Sequence, residues 1–232
     1  MSVVHLKQKQ AISEASECPE MLSTISEAGL EITQITTDLD SEGHSPEMPC
    51  APVSYSADSR RMVFVRRRQA LSGTPRTELT LCEIQPGFPL LPLTDEAEVR
   101  GFVLMPDGRS VYYIVDESGK GGLHRLLLKR VDLEKLTRET LMVVDYPVPG
   151  VGRVPRGGYA YPCASLSPDG RRLSTCSSFY TDDDPLYASL IFDLARGSVH
   201  GFQFEPYSWR PFGLYTQSPL PEHRDHLMMA HS

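Results

Sequence analysis

The chain lacks most of the features that sort a protein quickly. Its first residues, MSVVHLKQKQAISEASECPEM, hold no continuous apolar run of the kind a secretory leader needs. No stretch approaches eighteen apolar residues, so no membrane-spanning helix is expected. There is no surplus of base: Lys and Arg number 23 against 30 Asp and Glu, for a net charge of −7. That balance argues against a nucleic-acid footprint. The motifs GxSxG, HExxH and CxxC are all absent. Five cysteines, Cys18, Cys50, Cys82, Cys163 and Cys176, are odd in number and scattered. They fit reduced core thiols better than a disulfide framework or a zinc site. The expectation is a cytoplasmic protein with no nucleic-acid or membrane partner.

What the chain has in quantity is punctuation. Nineteen Pro and 17 Gly in 232 residues suit a chain that turns often. The turns repeat. SADSRRMVFV (residues 56–65), MPDGRSVYYI (105–114), SPDGRRLSTC (167–176) and LPEHRDHLMM (220–229) carry an acid at the third place: Asp58, Asp107, Asp169 and Glu222. The fifth place is Arg60, Arg109, Arg171 and Arg224. Pro presets the first corner, Asp caps it, and Gly supplies positive φ before a strand begins. Ser59 and His223 stand where the middle copies have Gly, which predicts a somewhat different geometry for the outer corners.

A second unit follows each corner. TELTLCEI (77–84), LHRLLLKRVDL (123–133) and YASLIFDL (187–194) are apolar-rich and end near an acid. Each runs through a polar break into FPLLPL, TLMVVDY or VHGFQFE. The unit reads as one four-stranded β-propeller blade, whose usual repeat is about 40–50 residues. Acid-to-acid steps are 49, 62 and 53 residues, and the long step holds the Gly/Pro-rich insertion PVPGVGRVPRGGYAYP (147–162). Residues 123–141 contain good helix formers, but they follow GKGG and precede LMVV, which favours strand–turn–strand. The fold expected is all-β: a partial propeller of about three and a half blades over residues 29–232. Residues 1–28 form a short helical or loose arm. Residues 29–38 read as an outer strand joining the ring, and 40–49 as a polar loop.

LEITQITTD, a loop with His44, YSADSRRMVFVRRR, LTLCEI and VRGFVLMPDGRSVYYIVDE together resemble the N-terminal half of the oligogalacturonate lyases, propellers with TolB-like blades. The LHRLLLKRVDLEKLTRETLMVV segment and SWRPFGLYTQSPL…HRDHLMMAHS extend the resemblance across residues 29–232. It implies a seven-bladed propeller with its site in the central channel. There a divalent metal, typically manganese, binds a uronate carboxylate and acidifies the C5 proton. A base then removes that proton, and β-elimination cleaves short oligogalacturonides. The resemblance places the metal-ligating histidines in later blades, so no metal ligand is carried over and no bound manganese is expected. Arg210 in SWRPF and His231 in MAHS are the catalytic candidates it leaves. The alternative is a non-catalytic TolB-like module that binds a protein or a glycan.

The remaining candidates have plainer readings. Alternation along residues 226–231 puts His226 and His231 on opposite faces of a strand, with His223 in the turn, so they do not converge on a metal. Asp182, Asp183 and Asp184 read as a solvated hairpin rather than a calcium site, because consecutive side chains diverge. Arg66, Arg67 and Arg68 read as charges that blunt a strand end rather than a carboxylate grip. Trp209, with Tyr207 and Phe212, reads as interblade packing before it reads as a sugar platform. Gly119–Gly122 read as a hairpin turn, and Ser177 and Ser178 have no base placed by sequence. An open half-ring would expose two blade faces and unpaired edges, which predicts self-association through open blade edges.

Overall fold

The structure of the protein, a computed structural model, describes residues 3–5, 12–13, 15–17, 29, 31–36, 41–44, 54–68, 76–96, 99–117, 124–155, 164–180, 185–203, 212–215 and 227–230. No helix occurs among them. Three short strands come first: β1 (Val3–His5), β2 (Ser16–Glu17) and β3 (Thr33–Gln34). The first blade is an antiparallel sheet of β4 (Ser41–His44), β5 (Arg61–Arg68), β6 (Arg76–Glu83) and β7 (Leu90–Pro92), paired in that order. The second is β8 (Val99–Leu104), β9 (Ser110–Asp116), β10 (Leu126–Asp132) and β11 (Thr137–Val144). The third is β12 (Ala164–Leu166), β13 (Arg172–Tyr180), β14 (Pro185–Asp193) and β15 (Ser198–Gln203). β16 (Phe212–Tyr215) and β17 (Leu227–Ala230) pair as the opening hairpin of a fourth. β8 lies beside β12, and β12 beside β16, so the first strands of the second, third and fourth of these sheets share an inner ring. The architecture is a partial β-propeller.

Period-two alternation gives the second blade two greasy faces. Val111, Tyr113 and Val115 of β9, with Leu127 and Val131 of β10, pack on Val63, Leu79, Leu81 and Leu93 of the first blade. Ile114, Leu126 and Leu128 turn the other way and meet Leu173, Phe179, Leu190 and Phe192 of the third. Branched and aromatic residues at these positions suit a pleated, buried surface.

Residues 123–141 are strands β10 and β11 joined at Leu133–Leu136, as strand–turn–strand requires. The N-terminal region differs from its reading in detail. The described residues of 11–28 are extended: Ile12 bridges to Leu90, and β2 pairs with β3. The pairing of β3 with β2 keeps residues 33–34 out of the blade sheets, where an outer strand had been expected. β4 lies inside the segment read as a polar loop. SEGH looks polar because its backbone, laid along Arg68 to Val65 of β5, carries the pairing.

The outermost strand of every complete blade is covered. Ile12 exchanges backbone hydrogen bonds with Leu90 of β7, β1 pairs with β11, and the Gly201 N–H of β15 donates to the Pro149 carbonyl at 2.7 Å. Gly201 has to be glycine: a Cβ there would meet Val151 Cγ2 at 2.3 Å. On the expected open faces Phe64 and Cys82 of the first blade and Ser174 and Ser189 of the third are buried, while Phe202, opposite Ser189, is half exposed.

Candidate functional site

The repeated corners converge at one end of the sheets. In each complete blade the carbonyl of the corner arginine accepts a hydrogen bond from the residue just past the third strand. Ile84 donates to Arg60 at 2.7 Å, Leu133 to Arg109 at 2.8 Å and Leu194 to Arg171 at 2.8 Å. An apolar residue follows an acid at Glu83–Ile84, Asp132–Leu133 and Asp193–Leu194, and its side chain packs inward at two of the three, with Leu133 buried in the first seam and Leu194 against the second. In the later two blades that acid caps its own turn. Asp132 Oδ1 accepts from the Glu134 and Lys135 amides, and Asp193 Oδ1 from the Ala195 and Arg196 amides.

Each corner is wired internally. Ser56 Oγ donates to Asp58 Oδ1 at 2.6 Å and accepts from the Arg61 amide at 3.0 Å. Ser167, Asp169 and Arg172 repeat those bonds at 2.6 and 2.9 Å. The middle corner has Met105 in place of the serine, and Asp107 Oδ1 accepts from the Arg109 amide at 2.9 Å. The Ser56 hydroxyl, then the Arg60 amide, holds the Asp58 carboxyl below the usual range; Ser167 and Arg171 do the same for Asp169. Gly108 has φ +68°, and a Cβ there would lie 3.0 Å from Ser56 Cβ. Ser59 adopts φ +55°, so the serine corner takes the same left-handed step rather than a different geometry. The Asp58 side chain, accepting from the Arg60 amide at 3.1 Å, fixes the turn strongly enough to hold it there.

Between the first two corners lies a polar cleft of about 470 Å³. Arg61 spans it, donating Nη1 to the Gly108 carbonyl at 2.7 Å and Nε to Glu83 Oε1 at 3.2 Å. Arg109 faces Glu134 at 3.3 Å, and Asp58, Arg60 and Asp107 complete the wall. These charges brace adjoining corners.

A second polar constellation closes the seam between the same two blades. Glu96, on the link from β7 to β8, accepts from Lys129 Nζ at 2.8 Å and Tyr113 Oη at 3.3 Å through Oε1, and from Arg138 Nη1 at 2.8 Å through Oε2. Arg138 also reaches Asp95 at 2.5 Å. Burial, and then the Glu96 charge, push the Tyr113 phenol far above its ordinary value. Neither the cleft nor this knot was found from sequence. Glu83 and Glu96 look like loop acids until the fold brings their partners to them.

The sequence candidates are placed as follows. Arg210 and His231, with His223, His226, Trp209, Tyr207, Asp182–Asp184 and Gly119–Gly122, lie outside the described residues. Phe212 begins β16. Arg66 is 1% exposed and stands opposite Glu78, so it is a face-directed residue of the first blade rather than an edge charge. Ser177 and Ser178 are buried. Cys82 and Cys176 are buried thiols; burial, and then Glu83, push the Cys82 thiol up to about 11. Among the described residues no three His, Cys, Asp or Glu side chains gather as a metal site.

The strand order and the shared inner ring define the class, a β-propeller. No protein-family model matches the sequence, and no curated protein does. Among solved structures the chain is similar to an oligogalacturonate lyase of Vibrio parahaemolyticus. Identity is 15%, all of this chain and 54% of that one are covered, and the TM-score is 0.59. The chain therefore spans about half the length of that lyase. It also matches TolB of Acinetobacter baumannii at 18% identity, covering 68% of this chain and 34% of that one with a TM-score of 0.44. The β-propeller domain of the trilobed protease from Pyrococcus furiosus matches at 14%, covering 77% and 46% with a TM-score of 0.47. At such identities the likeness is one of fold.

Proposed function

We propose that the chain is an oligogalacturonate lyase-like propeller segment that binds short pectic oligogalacturonides and takes part in their β-elimination. The observation that carries this reading is the likeness of fold between the whole chain and 54% of a lyase, at a TM-score of 0.59. In the elimination a base takes the C5 proton, the C4=C5 double bond forms as the C4–O bond breaks, and the departing oxygen takes up a proton from the base or water to leave as an alcohol. Arg210 meets the uronate carboxylate and His231 handles the proton in this reading. No step through a metal is assigned, because the described residues do not supply its ligands. Trp209, the only tryptophan, adjoins Arg210 and makes its fluorescence a binding probe. Trigalacturonate is titrated against that signal, and ultraviolet absorbance follows unsaturated product from digalacturonate, with and without added manganese. Saturable binding that Arg210→Ala weakens at least tenfold is the expected result. Turnover would extend the reading to this chain's own catalysis. Neither binding nor turnover, beside a working lyase, overturns it.

A second reading is a non-catalytic module that binds a protein or a glycan. The corner-end cleft favours it: Arg61, Glu83, Arg109 and Glu134 are engaged with one another rather than poised as a reactive pair. A neutral glycan or a protein that binds where trigalacturonate does not would select it.

A further inference from the structure

The covered rims mark a surface that takes a strand. β1 lies antiparallel on β11, with Val3 opposite Glu139, Val4 opposite Arg138 and His5 opposite Thr137. Further along the same arm, Ile12 donates to the Leu90 carbonyl at 3.1 Å and its own carbonyl accepts from the Leu90 amide at 2.9 Å. The Ser13 hydroxyl donates to the Gly87 carbonyl. One N-terminal stretch thus ties the rim of the second blade to the rim of the first, against chain order. Its hold at the first blade is almost entirely backbone, since Ile12 stays 54% exposed.

We propose that these two rims form a strand-accepting surface, and that its occupant, besides the chain's own arm, is the same arm of a second copy, which gives an arm-exchanged dimer. The inference is independent of the pectic reading. The pairing on β11 and β7 shows which segment fits these edges, and every copy carries that segment. Backbone hydrogen bonds do not distinguish the arm of one chain from that of another. The chain's own arm prevails through its high effective concentration, an advantage that shrinks as protein concentration rises. When the arm leaves, Leu90 and residues 137–139 become a bare edge, and bare edges recruit strands.

Paired substitutions test this on the full chain. His5→Cys and Thr137→Cys in one chain should close a disulfide within that chain on oxidation, because these residues are directly opposed. The two single variants, mixed at millimolar concentration and then oxidised, should bridge positions 5 and 137 between chains, identified by peptide mass. The yield should fall at micromolar concentration, and an excess of a peptide of residues 1–17 should suppress it. Bridging within the double variant but none in the mixture overturns the exchange. No bridge in the double variant overturns the pairing itself. A polyvaline peptide that competes as well as residues 1–17 would mean the rim takes any strand, which overturns the choice of a second copy. A folded baseline for each variant comes from circular dichroism.

Discussion

The two complete seams between blades are built from one repeat and held in different ways. At the first, Val63, Leu79 and Leu81 meet Tyr113 and Val131, and a charged knot of Glu96, Lys129, Arg138 and Asp95 closes over them. Arg61 adds a second polar tie at the corner end. At the second, Ile114, Leu126 and Leu128 meet Leu173, Leu190 and Phe192. The closing contact there is backbone on backbone, Pro149 against Gly201. Apolar area drives both seams together. It is tolerant of small slips, whereas the three donors on Glu96, all from the second blade, accept only one placement of the link that enters that blade. The repeat supplies adhesion, and residues outside the repeat pattern supply register.

The largest effect should come from the apolar seam. Phe192 is wholly buried between the second and third blades. Phe192→Ala should cost about 3–5 kcal/mol in a urea titration, the sum of lost transfer energy and an unfilled cavity. A loss below about 1 kcal/mol would mean that the seam is not packed as described. Phe202, exposed on the outer strand of the same blade, is the control, and its alanine variant should stay within about 0.5 kcal/mol of the parent.

The charged seam should yield less. Glu96→Gln keeps the shape but takes the Glu96 charge from Lys129 and Arg138, both mostly buried, and Arg138 keeps the exposed Asp95. The expected cost is about 2 kcal/mol. A double cycle with Lys129→Met should show coupling of at least about 0.5 kcal/mol. Coupling near zero would reduce the knot to a set of independent surface pairs and erase the contrast between the seams. Added salt should narrow the gap between parent and Glu96→Gln, and leave that between parent and Phe192→Ala unchanged.

Much of this contrast could be read in the chain and part of it could not, for a physical reason. The corners were legible because turn chemistry is local: Asp58, Asp107 and Asp169 sit at fixed offsets from the strands they launch. The strands were legible through alternation, as in Val111, Tyr113 and Val115 against Ile114. The knot was hidden because Glu96 finds Tyr113, Lys129 and Arg138 far along the chain, and nothing local marks them as its partners. Residues 41–44 and Val3–His5 were missed as strands because pairing across a rim asks only for backbone. Arg66 was misjudged because three consecutive arginines look like a strand end, while its face, opposite Glu78, is buried. The catalytic candidates Arg210 and His231 came from resemblance alone, and they lie outside the described residues.

A smaller effect separates the corners by acid. The Asp58, Asp132 and Asp169 carboxyls are all held below their usual range. For Asp132 the Lys135 amide is foremost. A lowered folded value contributes stability that is fully present above the unfolded value of about 3.9 and is lost as pH falls toward the folded one. The protein should therefore lose stability steadily below about pH 4. Ser167→Ala removes the hydroxyl that donates to Asp169 and leaves the Arg172 amide without its acceptor. It should cost about 1 kcal/mol at neutral pH and make the acid limb shallower. An unchanged slope between neutral and acid pH would show that the corner serine does not set the Asp169 carboxyl.

The smallest expected change is a gain, and it falls at the corner end of the charged seam. Ser59 holds φ +55°, the place that Gly108 fills at +68° and Gly170 at +71°. An L side chain in that region is strained by the approach of its Cβ to the following carbonyl. Ser59→Gly removes the strain while freeing the unfolded chain, so the two effects oppose. The strain term should win by about 0.5 kcal/mol, because the Asp58 bonds to Ser56 and Arg60 hold the turn whichever residue occupies the position. A thermal melt of Ser59→Gly beside Gly108→Ser measures both directions. The second substitution should lower the midpoint by more, since its new Cβ meets Ser56 as well as the positive φ. Equal and opposite shifts would assign the whole difference to backbone strain; a midpoint lowered by Ser59→Gly would mean that the Ser59 side chain contributes a contact to the first seam that outweighs its strain.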